Sequence, residues 1–242
     1  MNATSEVVHI SLEAGSAAPA YRAAPTVGQS AASVLVLPEI WGVDENIRSV
    51  CDRLAQNGFL ALAPDMYRGG KAPRETDSPQ AITQSFRDYD DAQGVRDCRA
   101  FMRSLRAWSP DGARFYVWGF SMGGRFAHYL GACCEGLAGV VNFYGRLAFE
   151  RERTKLFLPR DFSDLIEVPY LGLFAEDDPI VPLADVEELR SRFVARRHPH
   201  LLKVFRGAAH SFFNGTRAAY DAAAAAEAWH LTLRFFQTGS MY

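Results

Sequence analysis

The sequence predicts an α/β fold in which a mostly parallel central sheet carries helices on both faces. Apolar, β-rich segments alternate with amphipathic segments along most of the 242 residues, which is typical of this class. The apolar segments are nearly continuous rather than alternating in polarity, as expected for strands buried on both faces. No repeat, charge block or long linker divides the chain, so we predict one domain over residues 1–242.

Six segments have the composition of buried strands. They are residues 33–38, 59–64, 114–120, 137–144, 168–174 and 201–205. Between the first two, Ile47, Val50 and Leu54 recur at helical spacing, and Asn57-Gly58 is a typical helix end. The order strand, helix, strand is therefore expected at the start of the parallel sheet.

A longer helical segment is predicted from about residue 79 to Trp108. Ser78 is suited to cap it, because a serine hydroxyl accepts a hydrogen bond from a first-turn amide, and Pro79 suits the first helical position. The length of the segment predicts a break near Gly94.

The two ends of the chain differ in composition. The alanine-rich run 222–226 continues into Trp229, Leu233 and Phe236 on one apolar face, which predicts a closing helix. The first 30 residues contain a possible strand over 7–12 followed by many Ala, Gly, Ser and Pro residues. A short antiparallel edge hairpin is expected there.

Composition excludes several classes of partner. The chain has 26 Lys+Arg against 28 Asp+Glu, a net charge of −2, whereas nucleic acids and anionic membranes are bound through concentrated positive charge. No apolar run is long enough to span a bilayer, and the N-terminus has no basic start followed by an apolar stretch. We therefore predict a cytoplasmic protein, with its four cysteines serving as small packing residues rather than a disulfide framework.

The pattern G-x-S-x-G occurs at Gly119, Ser121 and Gly123, directly after an apolar strand and before a helical segment. A serine at such a turn has a strained backbone and an exposed hydroxyl, and glycines on both sides leave room for the turn. Ser121 is therefore a candidate nucleophile. The alternative is a glycine-rich helix start that Ser121 only caps.

A serine nucleophile needs a histidine base and a carboxylate that orients it. Asp177 and Asp178 follow the strand 168–174, and His210 follows the strand 201–205. These are strand carboxyl ends, where open α/β sheets place their chemistry. The order Ser, Asp, His is that of the α/β-hydrolases.

The other histidines are weaker candidates for the base, and none of them predicts a metal site. His198 and His200 are close in sequence, but no Cys or carboxylate stands at ligand spacing from them. We therefore expect no metal site.

The chain resembles the dienelactone hydrolases in four separated segments: residues 38–42 (PEIWG), 63–67 (APDMY), 119–124 (GFSMGG) and 207–212 (GAAHSF). The resemblance extends over most of the chain from about Ser33 to Phe236. It implies an α/β-hydrolase fold without a separate cap domain, a triad of nucleophile, histidine and aspartate, and action on esters or lactones without a cofactor.

By this resemblance the nucleophile, acid and base are Ser121, Asp178 and His210. Asp178 takes the acid position rather than Asp177, because it precedes Val181-Pro182 at the family spacing.

Three further positions carry over from the family. Ile40 and Met122 match the two backbone donors of the oxyanion hole, and Glu39 matches a glutamate beside the nucleophile. From the residues alone, Glu39 is an acidic residue at a strand end, for which a structural role is equally open.

Two departures separate this chain from the dienelactone hydrolases proper. Those enzymes have a cysteine nucleophile, whereas Ser121 needs His210 as a general base. They also bind the substrate carboxylate with two arginines, and here these positions are Asn214 and Gly69, with Arg68 and Lys71 beside the latter. Recognition of a dienelactone carboxylate is therefore not expected to follow the family pattern.

Residues for the substrate pocket are suggested by their places near strand ends and motif turns, although each aromatic one could equally belong to the core. They are Trp41, Tyr67, Arg68, Phe120, Tyr144 and Phe212. Cations of the long 146–167 connection could serve an anionic substrate, or form a solvated loop. They are Arg151, Arg153, Lys155 and Arg160.

The function expected from these observations is hydrolysis of a small carboxylic ester or lactone through an acyl-enzyme on Ser121. Two alternatives stay open: an acyltransferase or lactone-forming enzyme with the same triad, and a non-catalytic α/β-hydrolase fold that binds a ligand or a partner protein. The oligomeric state is open as well.

Overall fold

The computed structural model describes residues 3–26, 31–150, 154–155 and 157–241. The chain forms two compact units, one made of Met1–Arg114 with Glu150–Phe157 and the other of Phe115–Phe149 with Leu158–Tyr242. The single domain over residues 1–242 stays a prediction. Among the helices in the described ranges, none combines the length and apolar character needed to cross a membrane.

The first unit contains four strands and three α-helices within its described residues. They are β1 (Ala3–Ser11), β2 (Ala17–Pro25), β3 (Ala32–Leu37), α1 (Glu45–Gln56), β4 (Leu60–Pro64), α2 (Pro79–Asp88) and α3 (Asp91–Trp108). The strands are ordered β1-β2-β4-β3. The β1–β2 and β2–β4 pairs are antiparallel, and β3 and β4 are parallel.

The N-terminal hairpin is confirmed and is longer than expected. Its register runs from Ala3 opposite Pro25 to Ser11 opposite Ala17. The sequence did not locate the second strand of the hairpin, β2, because alanine and proline are poor strand formers. It forms because it pairs on both sides, with β1 and with β4.

The predicted break near Gly94 is wrong, because the helix is interrupted earlier, at Tyr89 and Asp90. Tyr89 is extended, and the Asp90 carboxylate accepts a hydrogen bond from the Gln93 amide at 3.0 Å, which starts α3. Gly94 is a buried position inside α3. A capping aspartate therefore decides the break, and the glycine is tolerated within the helix.

Within its described residues, the second unit is a parallel sheet with three α-helices. Its elements are β5 (Arg114–Phe120), α4 (Met122–Cys133), β6 (Gly139–Phe143), a 3-10 helix (Pro159–Leu165), β7 (Tyr170–Ala175), α5 (Leu183–Ala195), β8 (His200–Phe205) and α6 (Ala222–Thr238). The strands pair in the order β5-β6-β7-β8, all parallel. The six predicted strands and the closing helix α6 are confirmed.

An aromatic cluster fills the core of the second unit. The Trp118 ring lies 4.8 Å from Phe120, 5.1 Å from Phe143 and 5.9 Å from both Phe213 and Phe236, measured between ring centroids. Burial of aromatic side chains contributes strongly to stability. The cluster thus joins β5 and β6 to α6.

The four cysteines are all thiols. Cys51 in α1 and Cys98 in α3 are buried, which confirms the packing role expected for them. Cys133 is exposed and Cys134 half-buried at the end of α4, so the packing prediction is wrong for Cys133.

Candidate active site

Ser121 lies at the sharp turn between β5 and α4. Its backbone is strained, with φ 49° and ψ −108°, a conformation that costs a non-glycine residue roughly 1–3 kcal/mol. A Cβ at Gly119 would lie 2.0 Å from the Gly123 carbonyl oxygen, so only glycine fits there. The Ser121 amide donates to the Phe143 carbonyl at 2.9 Å, which ties the turn to β6.

The alternative that Ser121 only caps α4 is contradicted by its side chain. The hydroxyl makes no capping hydrogen bond to the helix. Instead Ser121 Oγ lies 2.9 Å from His210 Nε2.

His210 and Asp178 complete a continuous line of hydrogen bonds from Ser121. His210 Nδ1 lies 2.7 Å from Asp178 Oδ2. The other carboxylate oxygen, Oδ1, accepts from the Ile180 amide at 2.8 Å and the Val181 amide at 3.0 Å. Asp177 is exposed and its carboxylate takes no part in this line. The structure thus brings together the three side chains that the sequence singled out.

The hydrogen-bond partners determine which imidazole nitrogen carries the proton. An ionised Asp178 only accepts, so His210 Nδ1–H donates to it and Nε2 is left to accept from the Ser121 hydroxyl. The Asp178 side chain is 1% exposed and that of His210 is 14% exposed. The arrangement can therefore take a proton from Ser121 at a position that is partly exposed to solvent.

Met122 follows Ser121 as the first residue of α4. Amides in the first turn of a helix have no acceptor within the helix and lie at the positive end of its dipole. This position suits a donor to a developing oxyanion, and the oxyanion role of Met122 stays a prediction.

Glu39, Ile40 and Trp41 belong to the first unit, in the segment after β3. Glu39 is buried, whereas Ile40 and Trp41 are half-buried. The Ile40 carbonyl accepts a hydrogen bond from Tyr67 Oη at 2.7 Å. The roles expected of these three residues beside the nucleophile stay predictions.

Arg68 makes a bidentate ion pair within the first unit. Its Nε and Nη2 lie 2.7 and 2.6 Å from the two oxygens of Asp97, and this hydrogen bonding raises the pKa of the guanidinium. With Tyr67, Lys71 and Tyr89 it lines a cleft of about 640 Å³. Because Asp97 already occupies Nε and Nη2, binding of a substrate carboxylate by Arg68 stays a prediction.

Three aromatic residues suggested for the pocket wall are fully buried: Phe120, Tyr144 and Phe212. The Tyr144 ring meets the His210 ring edge to face at 5.1 Å between centroids and the Phe212 ring at 5.3 Å. These contacts favour the alternative that the three rings pack in the core, with Tyr144 supporting the imidazole.

The cations of the 146–167 connection that the structure describes differ in burial and in their ion-pair partners. Lys155 is buried, donates to the Tyr89 carbonyl and lies 3.2 Å from the Asp91 carboxylate. The expectation of a solvated loop is therefore wrong for Lys155, because its charge neutralises a buried aspartate. Arg160 lies 3.5 Å from Glu188. Arg151 and Arg153 lie outside the described residues.

Sequence reasoning missed a buried polar chain in the second unit, formed by Asn142, Tyr170, His128 and Ser163. All four side chains are 0% exposed. Its signal in the sequence is an asparagine and a histidine inside otherwise apolar segments, since a fully buried polar residue needs hydrogen-bond partners. Burial lowers the pKa of His128 to about 3, so its imidazole is neutral.

Asn214, which stands where the resembling family has an arginine, is also buried. Its Oδ1 accepts from the Thr216 amide at 3.0 Å and the Thr216 hydroxyl at 2.7 Å. This uncharged amide stabilises a local turn. Within the described ranges, no group of three or more His, Cys, Asp and Glu side chains is placed to hold a metal ion.

Comparison with known proteins identifies relatives over nearly the whole chain. The profile of the dienelactone hydrolase family matches residues 18–240. A protein of Methylorubrum extorquens named "Putative carboxymethylenebutenolidase" is 32% identical over 87% of this chain and 73% of its own length. One of the same name from Escherichia coli K12 is 31% identical over 90% and 82%.

The structural comparison agrees with the sequence comparison. The crystal structure titled "Putative Dienelactone Hydrolase" from Klebsiella pneumoniae has a TM-score of 0.92, with 30% identity over 98% of this chain and 100% of that one. The predicted α/β-hydrolase fold, with a mostly parallel sheet and helices, is confirmed.

Proposed function

This chain belongs to the dienelactone hydrolase family and is a hydrolase, and from that premise we propose that it cleaves a carboxylic ester or lactone through an acyl-enzyme on Ser121. The main support for this proposal is a continuous series of hydrogen bonds. Ser121 Oγ lies 2.9 Å from His210 Nε2, and His210 Nδ1 lies 2.7 Å from Asp178 Oδ2. A hydroxyl, a base and an orienting carboxylate within hydrogen-bond distance are what nucleophilic catalysis by serine requires.

In the first half of the reaction, Ser121 Oγ attacks the carbonyl carbon while His210 Nε2 takes the hydroxyl proton. Asp178 stabilises the imidazolium through Nδ1–H and keeps the ring oriented. The tetrahedral intermediate collapses when His210 returns the proton to the leaving oxygen, and Ser121 keeps the acyl group. In the second half, a water molecule gives a proton to His210 as its oxygen attacks the acyl carbon. The bond from that carbon to Ser121 Oγ then breaks, His210 returns the proton to Oγ, and the free acid leaves.

The oxyanion of the tetrahedral intermediate needs donors placed before the reaction begins. We assign this role to the amides of Met122, at the N-terminus of α4, and Ile40. Because Ser121 does not depend on thiolate formation, we assign Glu39 a structural role rather than control of the ionisation of the nucleophile.

The substrate class follows from the family and from the departures of this chain. Relatives named carboxymethylenebutenolidase suggest a lactone. Asn214 is uncharged and hydrogen-bonded to Thr216, so we propose that a small ester or lactone is accepted without a carboxylate clamp at that position. A small-molecule substrate in the cytoplasm, with no metal or cofactor, completes the proposal.

The test uses a fluorophosphonate probe and a short p-nitrophenyl ester on the wild type and on Ser121→Ala. We expect the wild type to be labelled with a stoichiometry of about one, and Ser121→Ala to lose labelling and at least about 10⁴-fold in kcat/KM. Ser191→Ala is the matched control, because this exposed α5 serine bonds only its own helix.

A folded wild type that is neither labelled nor active would contradict the proposal and favour a non-catalytic binding protein. Comparable activity in Ser121→Ala would also contradict it. Addition of an alcohol acceptor separates hydrolysis from acyl transfer: the free acid is expected as the main product, and the transfer product would indicate an acyltransferase.

A further inference from the structure

The buried polar chain runs from β6 to the 3-10 helix entirely within the second unit. Asn142 Nδ2 donates to Tyr170 Oη at 2.8 Å, Tyr170 Oη lies 3.0 Å from His128 Nδ1, and His128 Nε2 lies 3.1 Å from Ser163 Oγ. At its other end, Asn142 Oδ1 accepts from the Gly145 amide at 2.8 Å. Five groups, of which only Asn142 and Gly145 are close in sequence, are thus hydrogen-bonded in series.

The Gly145 amide sets the direction of every bond in this series. Because N–H only donates, the Asn142 oxygen must face it and the amide nitrogen must face Tyr170. Tyr170 Oη then accepts from Asn142 and gives its own hydrogen to His128 Nδ1. His128 consequently carries its proton on Nε2 and donates to Ser163.

The series contains no charge that changes near neutral pH. Burial lowers the pKa of His128 to about 3 and raises the pKa of Tyr170. Both groups therefore keep the single protonation state that the series needs, and a fully satisfied buried network holds its members rigidly.

The Asn142 amide packs tightly between α4, which begins directly after Ser121, and the turn after β6. A Cβ at Gly124, in the first turn of α4, would lie 2.4 Å from Asn142 Oδ1, and one at Gly145 would lie 2.3 Å from it. Close approach without a Cβ is the reason for glycine at both positions. Asn142 therefore contacts the backbone three residues after Ser121 and the backbone one residue after Tyr144.

The turn that Asn142 holds is strained and lies against the proposed base. Tyr144 has φ 41°, unusual for a bulky side chain, and its amide donates to the Leu173 carbonyl at 2.9 Å. Its ring meets the His210 ring edge to face at 5.1 Å. A strained backbone persists only where its surroundings over-determine it, and here the bond from Gly145 to Asn142 is one of those constraints.

We propose that Asn142 is a positioning residue for the reaction. Through its hydrogen bond with Gly145 it holds the strained Tyr144 turn. The Tyr144 ring in turn keeps the His210 imidazole aligned with Ser121 and Asp178. Tyr170, His128 and Ser163 keep the Asn142 amide oriented. This inference rests on the proposed serine mechanism, and Asn142 itself touches no reacting atom.

The test compares Asn142→Ala, Asn142→Asp and Tyr170→Phe with the wild type, using kcat and KM for a p-nitrophenyl ester. Misplacement of a catalytic group by a fraction of an ångström to 1 Å is costly, so we expect Asn142→Ala to lose ~10- to 100-fold in kcat with KM within about twofold. Asn142→Asp keeps an oxygen for the Gly145 amide and should recover most of that loss.

The pH profile gives a readout that a purely structural role would not move. An imidazole held less well against Asp178 has a less stabilised protonated form, so the acid limb of kcat/KM should move to lower pH in Asn142→Ala. If Asn142→Ala does not fold, Tyr170→Phe removes only one hydroxyl and is expected to lose ~3- to 10-fold in kcat with the same displacement.

Thr232→Val is the matched control, since it removes a buried hydroxyl that bonds the Ala228 carbonyl within α6. It should lower Tm without changing kcat or the pH profile. Wild-type kcat and pH profile in the Asn142 and Tyr170 variants would overturn the inference, as would equal losses in Asn142→Ala and Asn142→Asp. A folded wild type that the fluorophosphonate does not label overturns the proposed function, and this inference with it.

Discussion

Two histidines of the second unit have both ring nitrogens hydrogen-bonded, yet they differ in the charge of their partners and in exposure to solvent. His210 lies between the Ser121 hydroxyl and the Asp178 carboxylate, with its side chain 14% exposed. His128 lies between two hydroxyls and is fully buried. The difference is one carboxylate and access to solvent.

That difference decides whether a protonated imidazole would have an opposite charge beside it. Burial without an opposite charge lowers the pKa of His128 to about 3, because a cation there would be neither hydrated nor paired. Asp178 supplies the missing charge beside His210. The same imidazole is thus suited to a neutral structural chain in one place and to proton transfer in the other.

Replacement of Asp178 by asparagine should have the largest effect, because it makes the surroundings of His210 resemble those of His128. The Ile180 and Val181 amides require an oxygen at Oδ1, so the new amide nitrogen would face His210. The imidazole would then carry its proton on Nε2 and could not accept from Ser121. We expect Asp178→Asn to lower kcat/KM ~10³- to 10⁴-fold with little change in fold.

Asp177→Asn is the matched control for this variant, as the adjacent carboxylate is exposed. Its kcat/KM should stay within about twofold of the wild type. Loss of activity in Asp177→Asn and not in Asp178→Asn would show that the acid had been assigned to the wrong residue.

The pH dependence of stability tests whether burial keeps His128 neutral. The pKa of His128 is about 3 in the folded chain and ordinarily 6.5, so below pH 6.5 the unfolded chain binds a proton that the folded chain does not. His128 therefore makes stability fall as pH falls from 6.5 towards 3. Between pH 7 and 5 this loss should be about 2 kcal/mol in the free energy of unfolding.

Urea denaturation at the two pH values measures this loss. His128→Gln removes the titrating group, so its free energy of unfolding should fall by about 2 kcal/mol less than that of the wild type. His230→Gln on α6 controls for loss of a histidine that is not buried. An equal fall in the wild type and His128→Gln would mean that His128 is not held neutral.

The smallest expected effect is the loss of stability on breaking the Arg68–Asp97 ion pair of the first unit. Asp97, whose side chain is 6% exposed, is paired with Arg68 and also accepts from Gln93. Arg68→Ala leaves this carboxylate with the Gln93 donor, so we expect a loss of about 1 kcal/mol in thermal or urea unfolding. Glu6→Gln breaks the exposed Arg22–Glu6 pair and should cost less than about 0.5 kcal/mol; equal losses would show that burial of Asp97 is unimportant.

The sequence allowed the fold class, the six parallel-sheet strands and the positions of Ser121, Asp178 and His210 to be predicted. These features depend on local patterns: a continuous apolar run indicates a buried strand, and a polar residue directly after it lies at the carboxyl end of the sheet. The turn at Ser121 was predictable because the glycine at 119 serves a steric need of the adjacent backbone.

Features that depend on distant partners were not predictable. Strand β2 has weak strand propensity and forms by pairing with β1 and β4, and the helix break at Asp90 is one of several possible capping sites. By its local sequence, Lys155 is typical of a solvated loop. Its burial depends on pairing with Asp91, which lies 64 residues earlier in the chain. A residue's local sequence carries no record of such contacts.

By itself, the sequence determined which groups are candidates for the chemistry and at which strand ends they stand, because strand periodicity and motif spacing are local. Only the tertiary structure decided that His128 is buried between two hydroxyls, that Arg68 pairs with Asp97, and that Asn142 bonds the Gly145 amide beside the Tyr144 turn. The physical reason is that protonation state, ion pairing and orientation depend on which groups from distant segments come within about 3 Å, the range of a hydrogen bond.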